Sequence, residues 1–141
     1  MGSITFRVQG MAAAPQGSKR HVGGGRMIES SKAVKPWRSL VAQSAIDAGA
    51  ALIRGPVSMS CVFLFVRPRG HYRRDGSLKP SAPRFHHVRP DGSKLLRSTE
   101  DSLTGLVYDD DARIVSSSFV KRYCTGDELP GAIITVTALE G

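Results

Sequence analysis

Cysteine is nearly absent from this chain: 141 residues hold two, Cys61 and Cys124. They form no CxxC pair, and each stands in a strand-like apolar context. Both therefore read as buried free thiols, which suits a reducing cytoplasm and leaves the fold to its apolar core, without disulfide staples. Long apolar runs are missing too. Nothing approaches the roughly 18 residues that a membrane span needs. The N-terminus has no basic segment followed by an apolar one, so no secretion signal is read. No internal repeat is visible. Acidic residues are scarce, with 12 Asp plus Glu against 20 Lys plus Arg and a net charge of +8. That balance favours a polyanionic partner, nucleic acid or an anionic surface. The length predicts one domain, and a hydrophobic content of 40% is ordinary for a soluble protein.

Against that scarcity, the acids that are present are concentrated. Asp109, Asp110 and Asp111 are consecutive, and Asp91 stands at the start of the preceding helical pattern. Like charges repel, so a basic chain gains little by packing acids together unless a cation joins them. Magnesium takes oxygen ligands and often uses only one or two protein carboxylates plus substrate phosphate. A carboxylate–metal centre within a basic surface is what hydrolysis of a phosphodiester backbone requires. The plainer alternative makes Asp91 a helix cap and Asp109–Asp111 a turn.

Hydrophobic periodicity orders the chain. Ile4, Phe6 and Val8 alternate with polar residues over 3–9 and predict a strand. Residues 11–31 read as a long polar, glycine-containing loop. Pro36 is expected to open a helix, with Trp37, Leu40, Val41, Ala45, Ala48 and Leu52 at helical spacing and Gly55-Pro56 ending it. A strand is expected over 57–66, a second helix over 93–103 with Gly105 just beyond it, and strands over 112–123 and 132–138. The order strand, helix, strand, helix, strand, strand predicts a small α/β (α+β) domain over residues 1–141, with a mixed sheet and two main helices packed on it. Between them lies residues 67–90, with seven Arg or Lys, one Asp, four Pro and three His. A loop of that length in a compact domain is usually functional or disordered, and its charge, including Arg73 and Arg74, points to a polyanion.

Other residues offer chemistry. If the second helix and the following strand pack together, Asp91, Asp110 and Asp111 are expected to converge at one end of the sheet and hold one or two ions. Arg97 either meets developing phosphate charge or pairs with Asp101 one turn on. Lys19, Arg20, Lys32, Lys35 and Arg38 gather around the loop and the first helix start, where cations oppose the helix dipole. DNA phosphate would compensate them. Trp37 is either a base-stacking residue or core. His86 and His87 are adjacent and would point apart in an extended chain, which speaks against zinc.

Taken together, Gly17-Ser-Lys-Arg20, Lys35-Pro-Trp-Arg38, the Arg-rich loop, Arg89-Pro-Asp91-x-x-Lys-Leu-Leu-Arg97, Asp101-Ser-Leu-Thr-Gly105 and Asp110-Asp111-Ala-Arg-Ile-Val115 resemble the RusA family of Holliday-junction resolvases. The version resembled is that of actinobacterial phages and prophages, so the resemblance implies a bacterial cytoplasmic setting. It also implies a homodimeric α/β nuclease, magnesium-dependent (manganese as a second candidate), that nicks four-way DNA junctions in pairs during recombination and repair. No membrane and no small-molecule cofactor are implied. Residue by residue, Asp91 matches the family's first metal-binding Asp, Asp111 its third, and Asp110 the adjacent acid. Arg97 matches a basic helix residue that is Lys in many members. Lys121 matches a Lys late in the next strand, expected near DNA. One position departs from the pattern: the family reads Pro-Asp-x-Asp, and here the second Asp is Ser93. Either the centre is weakened, leaving a junction-binding protein impaired in cleavage, or Asp109, Asp110 or Glu100 substitutes. Ser93 would still serve as an N-cap. A basic nucleic-acid-binding module unrelated to resolvases, its acidic run merely a turn, is a further reading.

Overall fold

The computed structural model describes residues 2–17, 19–22, 26–29 and 32–140, and the side chains of 19–22 and 26–29 lie outside that description. Strand β1 spans Ser3–Gln9, as its alternation predicts, and buries Phe6 and Val8. The expected loop over 11–31 contains a hairpin: β2, Lys19–Val22, pairs antiparallel with β3, Arg26–Glu29. Strands of four residues, with five of the eight polar, carry no apolar alternation to announce them.

Helix α1 runs Val34–Asp47. It begins two residues before Pro36, because the N–H groups of a first turn have no intrahelical partner and proline is tolerated there. It also stops earlier than Gly55. Gly49 has φ 83°, and its N–H donates to the Ile46 carbonyl while Ala50 N–H donates to Ala45, both at 3.0 Å. This is a Schellman termination, which a glycine enters at little cost. Leu52, expected on the helix, is instead an exposed loop residue.

Strand β4, Val57–Phe65, is followed by helix α2, Gly92–Leu103, then β5, Ile114–Tyr123, and β6, Gly131–Ala138. The main sheet has the order β1-β6-β4-β5. β4 and β5 are parallel, linked through α2, and every other pair is antiparallel. The sheet is therefore mixed, with two helices, as the element order predicts. Both helices cover one face. Val57, Met59, Cys61 and Phe63 of β4 meet Ala132, Ile134 and Val136 of β6, Phe6 and Val8 of β1, Trp37 and Val41 of α1, and Leu95 and Leu103 of α2. Each large side chain buried this way contributes about 1.5–3 kcal/mol. Trp37 is core: it is fully buried, and its indole N–H donates to Thr99 Oγ1 at 3.2 Å, joining the helices.

Residues 67–90 are neither a helix nor a free loop. Tyr72 bridges Leu78, and Phe85 bridges Arg122, near the end of β5. His86 is buried, stacked on Phe65 at 3.8 Å and set edge-on to Tyr123. The Arg67 guanidinium lies 4.7 Å from the Tyr123 ring centre and donates to the Pro83 carbonyl. Rings and histidines thus replace the aliphatic periodicity whose absence made the segment look irregular.

Candidate active site

α2 holds several of the candidate residues. Its N-cap is Asp91, in extended conformation with no side-chain capping bond, so the carboxylate is not consumed by the helix. The cap falls on Asp91, and Ser93, expected to serve in that role, is an exposed residue of the first turn. Pro15, Arg89, Pro90, Asp91 and Lys94 line a cleft of about 360 Å³. Its wall is fixed by Gln16 N–H donating to the Lys94 carbonyl at 3.0 Å and Ser98 Oγ donating to the Ala14 carbonyl at 2.6 Å. One carboxylate and two cations around a cleft of this size suit a phosphate backbone. Of these cleft residues, only Asp91 was marked by the acid pattern. The signal for the other two cations is local: Arg89 precedes Pro90, and Lys94 sits one helical turn after Asp91.

The acidic run divides into three fates. Asp109 is taken by Arg113, at 2.9 Å, and that guanidinium holds its carboxyl below the ordinary value. Asp110 accepts Ala112 N–H at 2.8 Å and so caps the short 3₁₀ turn Asp111–Arg113. The side-chain interaction of Asp111 with the adjoining Asp110, followed by the charges of Asp110 and Asp101, pushes its carboxyl up. Glu100, half-buried on α2, is also pushed up, by burial first and then by Asp101 and Asp111, while Arg97 opposes the shift. Asp110, Asp111 and Glu100 thus make an electrostatically unsatisfied group. Neighbouring carboxylates whose charges oppose one another suit a divalent ion, which takes oxygen ligands.

Asp91 does not join that group. Glu100 stands nine residues along the helix, so about 13 Å of axis separates the two levels. β5 runs the same length in the opposite sense. Its start, Ile114, pairs with Val57 next to the acidic turn, and Phe119 farther on packs against Gly92 beside Asp91. Within one subunit the expected convergence of Asp91, Asp110 and Asp111 at one end of the sheet is therefore corrected: Asp110 and Asp111 precede the start of β5, and Asp91 lies beside Phe119 in its second half. Helix and strand do pack together, but they run antiparallel and place the two acid positions apart. Among the described residues, no three His, Cys, Asp or Glu side chains come together as a metal-binding group.

The basic residues also separate. Arg97 is exposed and takes part in none of the ion pairs among the described residues. Asp101, considered as its partner, pairs instead with Arg38 at 3.1 Å. Arg38 also donates to Gln16, so it ties the 11–17 segment to both helices. Lys35 is exposed on the first turn of α1, and Arg73 and Arg74 are exposed in the turn closed by the Tyr72–Leu78 bridge. The side chains of Lys19 and Arg20 lie outside the described residues. Lys121 turns its ammonium to the Val88 and Pro90 carbonyls, 2.6 Å from each.

No curated protein sequence matches the chain. The family model of endodeoxyribonuclease RusA matches residues 11–137, which takes in both helices, the acidic turn and all of the main sheet but β1 and the last residue of β6. The chain belongs to the RusA endodeoxyribonuclease family.

Proposed function

We propose that this protein is a magnesium-dependent, structure-selective endonuclease of four-way DNA junctions, acting in recombination and repair, with residues 1–141 as one domain. The observation that carries the reading is the Asp110–Asp111 pair beside Glu100, with the Asp111 and Glu100 carboxyls both pushed up, on a protein of net charge +8. An anionic pair retained within an excess of positive charge suits a cation-assisted attack on a polyanion. Asp111 and Asp110 would hold the ion, with Glu100 in place of the carboxylate that Ser93 lacks, and Asp91 would complete the centre. The chemistry such an ion supplies when bound is polarisation of the phosphoryl oxygen and a nucleophile available near neutral pH. Arg97, exposed on α2 and in none of the ion pairs among the described residues, would meet the charge that develops on phosphate. Arg89 and Lys94 would seat the backbone in the cleft beside Asp91. Lys35, Arg73 and Arg74, with Lys19 and Arg20, would add phosphate contacts.

A homodimer suits this chemistry. A junction presents two strands for symmetrical cutting, and a two-fold dimer presents two sites. The separation of Asp91 from Asp110 and Asp111 favours it further. A two-fold axis through the open edge of β5 would exchange the strand's ends, and so bring one subunit's Asp91 towards its partner's acidic turn. A bacterial cytoplasm, with phage or prophage origin, is the setting this reading implies. Among the described residues, no helix is long and apolar enough to cross a membrane.

The second reading, a junction binder impaired in cutting, rests on Ser93. Asp111→Asn separates the two. If the protein cuts, the variant keeps its junction affinity and loses nicking by at least about 100-fold, as expected when a carboxylate holding a catalytic ion is removed. If wild type and variant bind alike and neither nicks, the binder reading takes over.

A further inference from the structure

We propose that Lys121 is a positioning residue that fixes the backbone leading into Asp91 and so aims its carboxylate. The inference rests on the nuclease reading and adds a residue whose sequence position suggests DNA contact instead. Two observations carry it. The Lys121 ammonium donates to the Val88 and Pro90 carbonyls, 2.6 Å each, immediately before Asp91. The same residue's carbonyl accepts His86 N–H at 3.0 Å. Lys121 therefore holds both ends of the 86–90 strap, by main chain at one end and by side chain at the other.

The arrangement has a physical logic. His86 anchors the strap's start through its stack on Phe65 and its edge contact with Tyr123. Leu95 N–H donates to the Asp91 carbonyl at 3.1 Å, so the helix holds Asp91 from the other side. Between these anchors, two carbonyls turn towards one point and would repel each other there. An ammonium is a compact cation with three donors and can satisfy both at once. Two of those donors are committed to carbonyls, which leaves little for a phosphate. Hydrogen bonds to charged groups are stronger than neutral ones, so removing this one frees the strap. Outer groups that orient a metal-holding residue typically change metal affinity by about 10- to 100-fold when removed.

The test compares full-length Lys121→Met, Lys121→Arg and Lys121→Gln with wild type. The last keeps two N–H donors without charge and guards against collapse of the Met variant. Amide hydrogen exchange is read across 88–93, and the slope of log affinity against log salt is measured for a four-way junction without divalent ion. Magnesium dependence of nicking is the third readout. Positioning predicts faster exchange confined to 88–93 in Lys121→Met, partial recovery in Lys121→Arg and Lys121→Gln, an unchanged salt slope, and a half-saturating magnesium concentration raised about 10- to 100-fold. Unchanged exchange, or a slope shallower by about one, would overturn it in favour of a phosphate contact. The exchange and salt readouts need no cleavage. Failure of this inference is thus distinct from failure of the nuclease reading, which wild-type nicking alone decides.

Discussion

Gly92 and Phe119 share one volume: a Cβ placed on Gly92 would lie 1.9 Å from Phe119 Cε1 and 2.2 Å from Cζ. The first residue of α2 is therefore bare because a ring from β5 occupies its side-chain space. This contact locks the Asp91 end of the helix to the strand that begins beside Asp111. Gly92→Ala is expected to cost about 1–3 kcal/mol through overpacking, towards the low end because the Phe119 ring is partly exposed and can shift. Phe119→Ala introduced into Gly92→Ala should recover most of that loss. A denaturant-unfolding cycle of the four proteins checks it: additive costs would contradict the shared volume.

Arg38 illustrates a cation with a structural use. Its bonds to Asp101 and Gln16 join α1, α2 and the 11–17 segment. Both ion-pair partners are about one-third exposed, so solvent screening keeps the pair's own worth to about 1 kcal/mol or less. Arg38→Met should lower the Tm by a few degrees and leave the salt dependence of junction binding unchanged. A slope shallower by about one in a titration from low to high salt would mark Arg38 as a phosphate contact after all.

The acidic group predicts a pH signature. Asp111 and Glu100 hold their protons more tightly in the folded chain than their ordinary values of 3.8 and 4.5. The sign follows from linkage: this contribution is fully present below those values and is lost as pH rises through the raised ones. In chelator, Asp111→Asn should therefore have a Tm at or above that of wild type at pH 7. Magnesium should raise the wild-type Tm more at pH 7 than at pH 5, because protons compete with the ion, and should leave Asp111→Asn nearly unmoved. Thermal melts at the two pH values, with chelator and with magnesium, read this directly. A variant melting well below wild type in chelator would mean that Asp111 supports the fold instead.

Glu128 carries the opposite sign. Arg122, bonded to both its carboxylate oxygens at 2.7 and 2.9 Å, together with Thr125, holds its carboxyl at about 2, against an ordinary 4.5. Its contribution is present above 4.5 and is lost as pH falls towards 2. Glu128→Gln should flatten the acid side of the stability profile in that window and change little at pH 7 beyond the loss of the pair. Denaturant titrations from pH 5 to 2.5 check it.

How much of this was legible in the residues follows from what each signal measures. Alternation in Ile4-Phe6-Val8 and the apolar stripe of Trp37, Val41 and Ala45 report burial against a core, so the main sheet and both helices could be read. Element ends depend on backbone conformation, and Gly49, which ends α1, was passed over in favour of the Gly55-Pro56 pair. The 67–90 segment packs through His86, Tyr123 and Arg67, residues that hydrophobic periodicity does not count. The acidic run marked its neighbourhood, but run and spacing contain no direction. Only the antiparallel course of α2 and β5 shows that Asp91 and Asp111 are held apart, and only the side-chain geometry shows Arg113 removing Asp109 from the group. The part played by Lys121 was out of reach for a similar reason, since its partners are backbone carbonyls with no sequence signature.

The most direct test is nicking of a synthetic mobile four-way junction by the full-length protein with magnesium and with manganese, against linear duplex of the same sequence. The account predicts symmetrical paired nicks confined to the junction, dependent on the ion and absent from the duplex. Junction binding with no nick under either ion, restored by Ser93→Asp, would contradict the claim that Glu100 and the acidic turn supply what Ser93 lacks. Equal affinity for junction and duplex with no cutting of either would contradict the junction-endonuclease account as a whole.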